Sequence, residues 1–301
     1  MIWQVRTASM FIVMSLIFMA VGSVVGALMG SFILGLIALL SVAVVFSIYS
    51  YFFSKQHALK ANGARIVTQD QEPRLYGIVS KVAGLAGVPM PEVGIVESMV
   101  PNAFATGRNP KNAAVVATRG ILSLADDELE GVIAHEMAHV KNRDILVMSV
   151  ASTMAAVLSY LSRYLLYAAL FGRERDPKLL VAAIACSILV PVAAVLVQLG
   201  VSRNREYLAD ETGAKFTGNP RALARALKKI ESGCLSPKNE YDNTSYADMW
   251  IANPVRSKKV WFKSLFSTHP PMDNRIAKLN ALADKMESTG KYGVGYSPET
   301  Y

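Results

Sequence analysis

Two of the chain's 4 histidines fall in one short stretch, GVIAHEMAHVKNRD, four positions apart and with an acid beside the first. On an α-helix, residues i and i+4 project from one face, so His135 and His139 can aim two imidazole nitrogens at one point. Such a pair suits a divalent metal, zinc above all, at about 2.0–2.1 Å. Glu136 lies about 100° further round the helix. That angle keeps it from joining the ligands but leaves it within reach of a water at the metal. Zinc acidifies water and polarises carbonyl groups, so a carboxylate here can take a proton from the attacking water and pass it to the leaving amine of a peptide. The arrangement is the H-E-x-x-H pattern, present as His135-Glu136-Met137-Ala138-His139. Chance alone would produce it in about one chain in a hundred of this length, so the surroundings have to support it.

A catalytic zinc needs a third protein ligand. The extended H-E-x-x-H-x-x-G-x-x-H form would supply it at 145, but the chain has Asn142 where that form needs glycine and Ile145 where it needs histidine. The ligand must therefore return from elsewhere. The best source is SRNREYLADETGAKF, where Glu206 and Asp210 stand one helical turn apart. One of the two can bind the metal while the other accepts the N–H of a ligand histidine and fixes its tautomer. Asp210, Glu211 and His269 rank behind Glu206 for the third position.

The elements that must carry these groups are legible around them. DDELEGVIAHEMAHVKNRD reads as a helix, with Asp126 as its cap and acids in its first turn. Upstream, EPRLYGIVSKVAGLAG reads as a helix begun by Pro73 and stopped by Gly87. Leu75, Ile78, Val79, Val82 and Ala86 form its apolar face. Between them EVGIVES, NAFATG and AAVVATRGIL are short strand-like runs divided by Pro, Asn and Gly. Further helices are expected from Arg203, from Pro220, and from Pro270 to Lys285.

The rest of the chain is apolar. Of its 301 residues 52% are hydrophobic and only 18% charged, and the mean hydropathy is +0.31. No Asp, Glu, Lys, Arg or His occurs from Thr7 to Ser54. As one helix that run would reach about 72 Å, over twice a hydrocarbon core of about 30 Å. It reads as a hairpin of two membrane spans turning near Gly30 and Ser31, too long for a cleaved secretory signal. Two more apolar segments, 145–170 with the single charge Arg163 and 179–201 with none, form a second hairpin. The expected organisation is a hairpin at 1–54, a polar part at 55–144, the second hairpin at 145–201 and a second polar part at 202–301. Both polar parts then lie on the same membrane side, which returns Glu206 to the histidines. Arg6, Lys55, Lys60, Arg65, Lys141, Arg143, Arg203 and Arg205 mark that side as cytosolic, against Arg173, Arg175 and Lys178 opposite. The net charge of +8 is explained by this topology, without nucleic acid as a partner. Cys186 and Cys234 form no CxxC and no disulfide framework.

In order along the chain, NAFATG, HEMAH, SRNREYLAD and HPPMDNRI match the pattern of the HtpX family of bacterial membrane metalloproteases, and so do the two hairpins. The chain resembles that family over nearly its whole length, and the CAAX prenyl proteases more distantly. The resemblance implies a mainly α integral membrane protein: two transmembrane hairpins and a cytosolic zincin-like α+β metalloprotease domain with a small sheet. It implies one zinc ion per chain on His135, His139 and Glu206, Glu136 as general base, and Asp210 as acceptor for a ligand histidine. It places the strand NAFATG beside the zinc as an edge for peptide substrates, with Asn102 holding substrate backbone and His269 and Arg275 supporting the substrate or its oxyanion. It also implies the bacterial cytoplasmic (inner) membrane, a lipid bilayer around the hairpins, an active site facing the cytosol, and a heat-shock role. That role is cleavage of misfolded or damaged membrane proteins alongside the protease FtsH, with self-cleavage. Two rival readings stand beside this: a CAAX-type processing peptidase, and a non-enzymatic zinc-binding membrane adaptor or chaperone.

Overall fold

The computed structural model describes residues 31–147, 203–234, 250–251 and 270–293, with isolated positions between 12 and 19 and between 166 and 187. The chain forms two compact units, 1–54 with 150–201, and 55–149 with 202–301. Both expected hairpins lie mostly outside the described residues. Their longest described part is α1, Phe32–Ala61, which runs on through Lys55 and Lys60. Ser31 Oγ accepts the Leu34 N–H at 3.4 Å, a helix start at the point where the turn is expected. Among the described residues, no helix is long and apolar enough to cross a membrane.

The second unit holds a four-stranded sheet, β1 (Arg65–Ile66), β2 (Glu92–Val96), β3 (Ala103–Gly107) and β4 (Ala113–Thr118). Their order is β1-β2-β4-β3, with β2 parallel to β4 and the other pairs antiparallel. Every residue of β3 and β4 is buried, so neither strand shows the apolar–polar alternation of a half-exposed sheet. The three strand-like runs of the sequence are β2, β3 and β4. β4 ends at Thr118, and the expected continuation through Gly120 is instead a 3-10 turn. β1 was not expected, because two residues carry no period to detect.

Around the sheet lie α2 (Pro73–Ala86), α3 (Asp126–Lys141), α4 (Arg203–Thr217), α5 (Pro220–Cys234) and α6 (Met272–Ser288). α2 begins with Pro73 in its first turn and stops at Gly87, whose φ of 66° suits glycine, with the Val88 N–H returning to the Ala83 carbonyl. Leu75, Val79, Val82 and Ala86 are buried on its inner face, and Ile78 is half-buried. Asp126 is not the cap of α3: Ala125 holds that position, and Asp126 is the first helical residue, paired with Arg74. The capping acceptor is Glu128, whose Oε2 takes the Ala125 N–H at 3.1 Å while Lys229 anchors it at 2.7 Å. α6 starts at Met272, since Pro271 is still extended (ψ 135°), and runs to Ser288.

α3 is the centre of the unit. It packs against α2, α4, α5 and β3, and every residue from Gly131 to Val140 is buried. A helix buried all round cannot show an amphipathic stripe. Its polar residues must therefore be satisfied from inside the protein.

Candidate metal centre

His135 and His139, one turn apart on α3, bring their rings to a centroid distance of 4.8 Å at 89°. Glu206, in the first turn of α4, points its carboxylate between them: Oε1 lies 3.4 Å from His139 Nε2 and Oε2 3.7 Å from His135 Nε2. All three side chains are buried, and their donor atoms lie within 4.8 Å of one another. Separations of 3.4 and 3.7 Å are long for hydrogen bonds. They fit groups sharing an ion, since ligands at about 2.0–2.1 Å on tetrahedral zinc sit about 3.4 Å apart. Two imidazoles and a carboxylate therefore suit a divalent metal.

Backbone contact brings the two helices this close. At Gly213 of α4, a Cβ would come within 2.7 Å of His135 N and 2.8 Å of the Ala134 carbonyl, so only glycine allows the approach. Gly213 and Glu206 lie two turns apart on one face of α4.

Each imidazole is held from behind. The Nδ1–H of His135 donates to Asp210 Oδ1 at 2.9 Å, which directs Nε2 towards Glu206. Asp210 is itself gripped by Arg275 through Nε to Oδ2 at 2.8 Å and Nη2 to Oδ1 at 2.7 Å. Arg275 is 0% exposed; its Nη1 donates to the Ile251 carbonyl at 3.1 Å and lies 3.5 Å from Glu206 Oε2. His139 Nδ1 lies 3.5 Å from Asp144 Oδ2, and Asp144 Oδ1 lies 3.6 Å from Arg205 Nη1. Asp144 and Arg205 were not among the site residues expected from sequence. The only signal was their place, Asp144 just past the end of the helix that carries both histidines and Arg205 just beside Glu206.

Glu136 faces β3. The Thr118 N–H donates to the Asn102 carbonyl, so Ala103, Ala105 and Gly107 turn their backbone groups away from β4. β3 is thus an edge strand, and the outward N–H of Ala105 donates to the Glu136 carboxylate. The outward carbonyl of Ala103 accepts the Ile251 N–H at 2.9 Å. Asn102 is buried; its Oδ1 accepts the Ala103 N–H at 3.1 Å and its backbone is tied to Thr118. His269 lies outside the described residues.

Comparison with known proteins agrees with this geometry. Residues 69–283 match Peptidase family M48. A protein named Protease HtpX homolog from Thermococcus sibiricus is 44% identical over 288 residues, covering 93% of this chain and 96% of its own. The one from Pyrococcus furiosus is 46% identical over 256 residues, 84% and 88% of the two chains. The one from Syntrophobacter fumaroxidans is 40% identical over 284 residues, 92% and 98%. This chain belongs to the HtpX family, within Peptidase family M48. It is therefore a metalloprotease, acting on peptide or protein substrates, and the non-enzymatic adaptor reading is set aside.

Electrostatics in this M48 site follow from burial. Loss of water pushes the Glu136 carboxyl up to about 8, aided by the charge of Glu206 and opposed by His139 and the Ala105 N–H. Burial lowers His135 despite its bond to Asp210. At His139 burial also works downwards, but hydrogen bonds to Asp144 and Glu206 and the charges of Glu206 and Glu136 outweigh it, raising the ring to about 10. Burial would raise Asp210, yet Arg275 and His135 hold it below the usual carboxylate range. Four acids, Glu136, Asp144, Glu206 and Asp210, packed around two imidazoles make a centre suited to a bound cation.

Proposed function

We propose that this chain is a zinc-dependent endopeptidase of the cytoplasmic membrane that cleaves misfolded or damaged membrane proteins. The observation that carries the catalytic part is the buried donor set His135, His139 and Glu206, with Glu136 against the sheet edge beside it. Two imidazoles and one glutamate are a donor set that catalytic zinc takes, and availability favours zinc over other divalent metals. When bound, the ion supplies Lewis-acid polarisation of the peptide carbonyl and lowers the pKa of water towards about 7. Glu136 takes the proton of the attacking water and delivers it to the leaving nitrogen. The Ala105 N–H orients the acceptor carboxylate. Asp210 keeps the His135 Nδ1 proton in place, so that Nε2 offers a lone pair. The outward groups of β3 pair with the backbone of an extended substrate, largely without regard to its sequence. Asn102 and Arg275 enter through what they hold: Asn102 fixes the start of β3, and Arg275 fixes Asp210.

Membrane residence rests on the uncharged run from Thr7 to Ser54 and is supported by α1, where Ile33, Leu34, Ile37, Val45 and Ile48 are all exposed. An apolar surface of this kind needs lipid or a partner. The excess of Lys and Arg beside the site-bearing parts supports a cytosolic site. Action on damaged membrane proteins under heat stress, alongside FtsH, follows from the family resemblance.

The test is proteolysis of casein by the purified full chain in detergent. Chelation should abolish cleavage, and zinc added back in stoichiometric amount should restore it. Cleavage that persists in protein shown to be free of metal would remove the mechanism.

A further inference from the structure

We infer that Asp144 is a positioning residue for His139, and that Arg205 holds it there. The inference rests on the zinc reading above. Asp144 is only 3% exposed and Arg205 8%. Such charges are retained in a protein interior only when paired. Asp144 has His139 Nδ1 at 3.5 Å on one oxygen and Arg205 at 3.6 Å on the other. The backbone builds this contact deliberately. α3 ends at Lys141, and Arg143 takes a left-handed φ of 59°, the only non-glycine residue with positive φ among those described. That conformation is disfavoured for an arginine, and it lies immediately before Asp144. The arrangement parallels the other imidazole at looser distances: there Asp210 lies 2.9 Å from His135 Nδ1 and Arg275 2.7 Å from Asp210. Both histidines thus carry an aspartate on Nδ1 and an arginine behind it, and the second arginine adjoins Glu206 in sequence.

The test uses the full chain in detergent. Zinc affinity is read by competition with a chromophoric chelator, and the site is read from the visible absorption of the cobalt(II) form. Asp144→Asn should lower zinc affinity about 10–100-fold and shift the cobalt bands. Arg205→Met should do the same in smaller measure, and the double variant should lose no more than Asp144→Asn alone. Asp284→Asn, on the surface, should change neither reading. Should Asp144→Asn fail to fold, Arg205→Met alone, which removes the cation facing Asp144, should still weaken zinc and shift the bands. Unchanged affinity and spectrum in Asp144→Asn, or in Arg205→Met where that variant stands alone, would overturn the assignment and leave the metal site standing. An unaltered protein that binds no zinc would overturn both.

A separate observation points to Trp250–Ile251 as a built-in occupant of the peptide-binding edge. The Ile251 N–H takes the outward carbonyl of Ala103, two residues from the N–H that orients Glu136. Its carbonyl is held by Arg275, and Trp250 is pinned by Asn62 at 3.1 Å and stacked edge-on against Phe104. A peptide pairing along β3 must displace Ile251 from Ala103. This too rests on the edge-strand reading. Amide hydrogen exchange in Glu136→Gln, with and without a saturating casein-derived peptide, tests it. Peptide should raise exchange at Ile251 about tenfold or more while protecting Gly107. Gly107 protected with Ile251 unchanged overturns the occupant, and neither changed overturns the edge reading with it.

Discussion

Glu136→Gln is expected to retain its metal and lose peptide hydrolysis by about 10²–10⁴-fold in kcat, with KM little altered. The amide has the shape of the carboxylate and can still accept the Ala105 N–H, so the wall of the site is kept. It cannot accept a proton from water, which is the one task the reaction asks of it. Stability should not fall. Burial already disfavours the charged form of Glu136, so a neutral side chain relieves that cost. Metal content by atomic absorption together with steady-state hydrolysis of a quenched peptide checks both halves. Undiminished turnover would remove Glu136 as the base.

Arg275→Met is expected to destabilise the fold by about 3–5 kcal/mol, a large part of a typical net stability of about 5–15 kcal/mol. Arg275 is wholly buried and forks onto Asp210, with Glu206 also within 3.5 Å. Taking away the guanidinium leaves Asp210 ionised in a dry interior or forces a proton onto it, and either outcome weakens its hold on the His135 N–H. Zinc affinity should therefore fall as well. The double variant Arg275→Met/Asp210→Asn removes both charges and should recover much of the lost stability, because most of the penalty is the stranded partner. Urea unfolding of the two singles and the double gives the coupling directly. Additive losses would mean that the pair does not act as a unit.

The sequence made α2, α3 and the three longer strands legible because their punctuation is local. Pro73, Gly87 and the acids around Asp127 act within a turn or two. Glu206 was legible for a different reason: it and Asp210 stand one helical turn apart, a pair that can supply a metal ligand and an acceptor for a ligand histidine. What stayed hidden depends on contacts distant in sequence. Arg275 was expected at the substrate, yet its guanidinium is spent on Asp210 and the Ile251 carbonyl, partners 65 and 24 residues away. Asp144 was invisible because it lies past the end of α3, where helical spacing no longer says which way a side chain faces. The left-handed Arg143 that turns it back follows from no propensity of arginine. His269 and most of both hairpins lie beyond the described residues, so their expectations stand as first read.

The glycine at 213 fixes something finer than a fold. Where main chain rests on main chain there is no rotamer to relax, so the gap between the two helices is a tolerance set by atomic radii. Glu206 hangs two turns from that fulcrum, and its reach towards the imidazoles inherits the same stiffness. A spacing fixed in this way sets where the Glu206 side chain begins its reach towards an ion shared with the two imidazoles.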